Sequence, residues 1–173
     1  MTKKIIIDLF GGLGNQLFQY ALAKSLESIH NVKTDFNTNF YYKNFDDQTF
    51  REVSLNKFNI KFTEKRKNFI EKLITKDSIS NIIPKINYKY YNENNLNHSD
   101  LEKIKLKRIN FFTGYWQNYN YFKSVESELK SCLSLDHNLK NLNSKTLKEI
   151  SDSNSLCIHV RRTDYVGSQH EVV

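Results

Sequence analysis

An apolar strand that runs into a glycine turn and then into a helix opens this chain, and no other feature restricts its fold as much. Residues 4–9 carry the β-branched run Ile5-Ile6-Ile7, which reads as a buried strand. Gly11-Gly12-Leu13-Gly14 makes a tight turn, and Asn15 reads as the N-cap of a helix. Phe18, Leu22, Leu26 and Ile29 then recur at helical spacing. Residues 32–36 predict a short second strand, and residues 37–47, full of Asn, Tyr and Phe, a loop. A second helix is expected to begin near Glu64 and to bury Phe69, Ile70, Leu73 and Ile74. Ser99-Asp100-Leu101-Glu102 has the capping-box pattern of a short helix. Residues 108–115 predict a strand, and a helix from about Tyr119 carries Phe122, Val125, Leu129 and Leu133. Residues 144–150 predict another short helix, and Leu156, Cys157, Ile158 and Val160 a last strand. Strands alternating with helices define an α/β fold with a parallel sheet flanked by helices.

Composition sets the outer limits. At 173 residues the chain can core one domain well but not two. Aromatic residues at 13% supply burial that disordered chains lack. The net charge of +7 favours an anionic partner, whether nucleic acid, nucleotide phosphate or membrane surface. The lysines are scattered among apolar positions and form no dense block, however, so a solvated basic surface is the plainer reading and the charge alone decides nothing. Cys132 and Cys157 sit in apolar runs without zinc-ligand spacing and read as reduced core residues. His30, His98, His137 and His170 show no ligand-like grouping and read as surface residues. The N-terminal apolar run is too short for a signal peptide and is interrupted by Asp8. With no span of the roughly 20 apolar residues a bilayer requires, a cytoplasmic protein is expected, its basic face able to rest peripherally on the inner membrane surface.

Two constellations carry chemistry. A dinucleotide fingerprint needs a third glycine where this chain has Leu17, and a P-loop needs a Gly-Lys-Ser/Thr that is absent. What remains is either a glycine loop at a helix N-terminus, which binds anions or sugars through backbone N–H groups, or a plain turn. Asn15 and Gln16 are cap and surface residues, or amides lining a cleft. The second constellation is His159-Val160-Arg161-Arg162-Thr163-Asp164-Tyr165 at the tip of the last strand. Paired arginines suit a pyrophosphate, because each guanidinium matches phosphate oxygens bidentately. An ion-paired strand end is the structural alternative. Trp116 reads as a core residue in preference to a sugar platform.

These residues resemble a known family. Gly11-Gly12-Leu13-Gly14-Asn15-Gln16-Leu17-Phe18-Gln19-Tyr20-Ala21 is similar to the opening signature of bacterial α-1,2-fucosyltransferases of glycosyltransferase family 11. The run from His159 to Tyr165 resembles their H-x-R-R-x-D-Y motif, and Gly114-Tyr115-Trp116-Gln117 resembles their G-Y-F/W-Q segment. The resemblance implies a GT-B-like pair of Rossmann-type domains. Residues 1–154 would be the N-terminal Rossmann-like domain, and residues 155–173 the first strand and motif of an incomplete C-terminal donor-binding domain. It also implies an inverting transfer of fucose from GDP-β-L-fucose to the 2-hydroxyl of a galactoside acceptor glycan, without metal or other cofactor. Carried over by position, Arg161 would stabilise the diphosphate leaving group. His159, Arg162 and Asp164 would shape the donor site, with Gly12, Gly14 and Asn15 across the cleft. No catalytic base is assigned, since a carboxylate at Asp164 beside two arginines can equally be their structural partner.

Family members run longer, so this stretch alone is expected to be weak or inactive as an enzyme. A basic nucleic-acid-binding module is the main alternative, motivated by Tyr88-Lys89-Tyr90-Tyr91 but supported by no recognisable motif. A nucleotide-dependent oxidoreductase is disfavoured by Leu17, with Asp35 a weak match for a ribose-binding acid.

Overall fold

The computed structural model describes residues 2–42, 51–65, 87–134 and 137–158. Five strands form one sheet: β1 (Lys4–Asp8), β2 (Thr34–Asn37), β3 (Thr63–Lys65), β4 (Tyr88–Asn92) and β5 (Ile109–Thr113). Their order is β3-β2-β1-β5-β4, and every pairing is parallel. The helices are α1 (Leu13–His30), α2 (Glu126–Cys132), α3 (His137–Leu142) and α4 (Ser144–Ser151), with several short 3-10 turns between elements. This is the α/β architecture that the alternating pattern predicts.

The apolar run at the N-terminus takes the central place because it can be covered on both faces. Ile5, Ile6 and Ile7 are all fully buried, and each contributes about 1.5–3 kcal/mol by leaving water. Side chains alternate across the sheet. Ile5, Ile7 and Leu9 therefore join the main core with Leu22, Leu26, Phe36, Phe112 and Trp116, while Ile6 meets Phe111, Tyr88 and Ile109 in a smaller cluster. Asn110 is buried in β5, and its side chain closes the start of the sheet by donating to the Lys4 and Lys107 carbonyls at 3.0 and 2.8 Å.

Helix α1 buries Leu22, Ala23 and Leu26 in the core. It ends at Asn31, whose left-handed backbone (φ 52°) returns its N–H to the Glu27 carbonyl. Glu27 also accepts from both the backbone N–H and the hydroxyl of Thr34, tying the helix end to the first residue of β2. His30, expected on the surface, is half-buried and bonds the Leu101 carbonyl at 3.1 Å. Burial holds its imidazole below the ordinary value.

Several boundaries differ from the sequence reading. The helix is capped by Gly12, and Asn15 lies inside its first turn. Glu64 belongs to β3, so no helix starts there; the helix expected around Phe69 to Ile74 falls outside the described residues. The capping-box segment forms a 3-10 turn (His98–Asp100) preceded by Asn97. The approach to α2 is two 3-10 turns (Tyr119–Tyr121 and Lys123–Val125) in place of one helix. Leu156 and Ile158 are 86% and 78% exposed, and residues 154–158 pair with no strand among the described residues. Cys157 is likewise exposed, not a core residue, and Cys132 is half-buried.

Candidate functional site

In an all-parallel sheet every strand points its carboxyl end to the same edge. The chain leaves β1 toward β2 and β3 on one side, while β5 and β4 lie on the other. Between β1 and β5 the succession reverses, and the crevice outside such a switch point is where α/β sheets bind ligands. The segments that emerge there are the glycine loop after β1, the Thr38 to Tyr42 segment after β2 and the turn after β5.

The glycine loop is held from behind. Gly11 takes φ 80°, a conformation that L side chains rarely adopt. Its carbonyl accepts from the Tyr41 hydroxyl at 3.0 Å and from Gln16 Nε2 at 3.2 Å. Gln16 is fully buried, so its role is neither cap nor surface. The same amide donates to the Glu52 carbonyl at 2.8 Å and accepts from Ser54 N–H at 2.8 Å, stitching the loop to residues 52–54. Burial pushes the Tyr41 hydroxyl well up, so it stays a neutral donor.

The open side of the loop is different in character. No side chain caps α1, and no acidic residue stands in its first turn. The N-terminal N–H groups of a helix with 18 residues therefore face outward with the positive end of the dipole. An Arg51 guanidinium nitrogen lies 2.7 Å from where a Gly12 Cβ would sit, so the arginine packs directly against the loop. Around Gly14 no atom of the described residues lies within 4 Å of a would-be Cβ. The fold thus does not require glycine at 14; the space in front of it is open to a ligand.

The turn after β5 forms the facing wall. Gln19, also fully buried, accepts from Phe10 N–H and donates to the Gly114 carbonyl, both at 3.1 Å. At the mouth, Gln117 Nε2 donates to Asn15 Oδ1 at 2.6 Å. The Phe10 and Tyr115 rings lie 4.8 Å apart, with Phe40 6.1 Å from Phe10. Trp116 is fully buried against Phe112 and Tyr121, so it serves the core as expected.

Of the residues singled out from sequence, Gly12, Gly14 and Asn15 meet in this crevice, together with Gln117. His159, Arg161, Arg162 and Asp164 lie outside the described residues. Sequence reading missed Gln16 and Gln19 as the buried ties of the loop, and missed Glu93 and Arg51. The glutamines stand within the opening signature, and Gln16 reads as a cap, surface or cleft amide, but nothing in their spacing marks them as buried ties. Among the described residues no group of three or more His, Cys, Asp or Glu side chains could hold a metal ion. No helix among them is long and apolar enough to cross a membrane.

A parallel α/β sheet with a glycine loop at its switch point is a frame on which domains of this class bind ligands. The glycosyl transferase family 11 model matches residues 4–173, and the chain belongs to that family. It is 32% identical over 173 residues to an α-1,2-colitosyltransferase of Escherichia coli, covering 95% of this chain and 56% of that protein. It is 28% identical over 185 residues to the O-antigen biosynthesis glycosyltransferase WbnK of Escherichia coli, covering 94% of this chain and 60% of that protein. The chain therefore spans somewhat over half the length of these relatives. No solved structure matches it significantly.

Proposed function

We propose that the protein, at the full length of its relatives, transfers L-fucose from GDP-β-L-fucose to the 2-hydroxyl of a galactoside, with inversion and without a metal ion, in the assembly of a surface glycan of the O-antigen type. The observation that carries this reading is the meeting of two motifs 95 residues apart, through the Gln19–Gly114 bond, at the carboxyl edge of the sheet. The third motif supplies residue types suited to the remaining task. As GDP departs, negative charge grows on the β-phosphate, and a preorganised arginine stabilises charge where it develops. Arg161 takes that role, with His159, Arg162 and Asp164 shaping the diphosphate site. Gly12, Gly14 and Asn15 line the opposite wall. The net charge of +7 suits an anionic donor and peripheral contact with an anionic membrane face.

A second donor is favoured by one specific observation, the 32% identity to a protein named as a colitosyltransferase. Colitose lacks the 3-hydroxyl of fucose, so the two donors differ by one polar group.

The test is transfer by the full-length protein from GDP-fucose and GDP-colitose to a galactoside, with and without EDTA. Transfer that survives EDTA and falls about 100-fold or more in Arg161→Ala is the expected result. Loss of transfer on chelation, or a near-normal Arg161→Ala enzyme, overturns it. The better donor decides between the two sugars.

A further inference from the structure

Glu93 lies outside all three motifs, at the end of the edge strand β4, where it opens a 3-10 turn (Glu93–Asn95). Its carboxylate accepts two successive backbone N–H groups of the facing turn: Tyr115 N–H on Oε2 at 2.6 Å and Trp116 N–H on Oε1 at 3.0 Å. Both bonds are charge-assisted, and together they fix the carboxylate plane against the peptide.

The backbone they fix is one that would not hold itself. Gly114 has φ 147° and Trp116 φ 58°, the latter a left-handed conformation in a bulky non-glycine residue. Gly114 is also where the carboxylate arm passes. A Cβ there would fall on the Glu93 Cβ and within 2.7 Å of its Oε2. The absence of a side chain at 114 therefore lets Glu93 reach the next two amides. From this turn project two groups that bond the first turns of α1 behind the glycine loop: the Gly114 carbonyl, bonded by Gln19, and the Gln117 amide, bonded to Asn15.

We propose that Glu93 is a positioning residue of the crevice, whose carboxylate holds the turn after β5 in its unfavourable conformation and thereby sets Gln117 and the glycine loop in register. Glu93 touches no ligand in this scheme. Its effect passes through the turn to Asn15 and the N-terminus of α1. The kinetic consequence rests on the glycosyl-transfer reading above; the structural consequence does not.

Amide hydrogen exchange on the full-length protein, comparing wild type with Glu93→Gln and Gln117→Ala, separates these. In Glu93→Gln the amide end must face one of the two N–H donors, so one bond is lost and a donor opposes a donor. Exchange at Tyr115 and Trp116 is expected to speed up about tenfold or more, and exchange at residues 11–15 to rise with it, while the amides within β1 and β5 stay protected. Gln117→Ala should loosen residues 11–15 but leave Tyr115 and Trp116 protected. Wild-type exchange at Tyr115 and Trp116 in Glu93→Gln overturns the proposal. So does acceleration confined to those two amides, since Glu93 is then a local brace only. In the transfer assay, KM should rise about fivefold with kcat largely kept, the pattern of a displaced binding wall. If wild type transfers no sugar from either GDP donor, the functional reading has failed, and the exchange pattern at residues 11–15 alone decides the role of Glu93.

Discussion

Gln19 and Gly114 are joined by a hydrogen bond of 3.1 Å across 95 residues of sequence, in a place water does not reach from the Gln19 side. The other end of the same amide holds Phe10 N–H. One side chain thus fastens the loop after β1 to the loop after β5.

Removing it leaves a backbone donor and a backbone acceptor without their partner. Each such orphaned group costs about 1–3 kcal/mol when buried. Gln19→Ala is expected to lower the unfolding free energy by about 3 kcal/mol, measured by urea denaturation. A loss of a few tenths would mean that water fills the gap and satisfies both groups.

Gly14 offers the opposite test. It sits in the first turn of α1 in open space, where alanine has the better helix propensity by about 1 kcal/mol. Gly14→Ala should therefore raise the melting temperature by a few degrees, as about 1 kcal/mol does in a domain of this size. The same methyl should impair transfer by the full-length protein if a ligand approaches the helix there. A variant that is both more stable and fully active would remove Gly14 from the site.

Glu27 makes acid stability predictable in sign. Burial pushes its carboxyl up, but the two Thr34 bonds and the Lys24 ammonium at 3.0 Å outweigh that and bring it below its ordinary 4.5. The folded state therefore binds this proton less readily than the unfolded chain. The stabilisation is complete above pH 4.5 and is lost as the pH falls through the lower folded value. Glu27→Gln should flatten the stability profile across that acid range, in melting curves taken at stepped pH. An unchanged profile would show that other carboxylates dominate.

Phe112 tests the edge of the sheet. Its ring stacks on Tyr91 at 4.6 Å and lies 6.2 Å from Trp116. Phe112→Ala opens a cavity where β4, β5 and the Trp116 turn converge, and should cost about 3–5 kcal/mol. Thermal melting checks it, and a cost under 1 kcal/mol would mean the edge strand repacks.

The strands and helix that could be read from sequence were those with one dominant period. Ile5-Ile6-Ile7 has no polar break, and Leu22 and Leu26 share one helix face, so β1, α1 and β5 fall where expected. Strand β4 was legible only as an aromatic-basic stretch, because it exposes Lys89 and Tyr90 in succession and buries only Tyr91, so it shows no alternating pattern. Tyr88 and Tyr91 serve opposite faces of the sheet, while Lys89 folds back to 5.0 Å from the Tyr91 ring. The glycine loop announced itself, but its supports did not. Gln16, Gln19 and Glu93 act through backbone groups, and a bond to a backbone N–H or carbonyl leaves no trace in the identity of the residue that owns it.

The strand order also fixes a sequence of events during synthesis. Strand β1 meets β2 early, through Asp8 and Asn37, separated by 29 residues. Its other neighbour arrives late, as the Asn110 to Lys4 bond spans 106 residues. Pairings of such long range slow folding, because the intervening chain must first be closed into a loop. A ribosome adding about 5–20 residues per second therefore leaves β1 with one apolar edge unpaired for several seconds. During that interval the newborn chain offers its most hydrophobic strand to chaperones, or to other unfinished copies of itself.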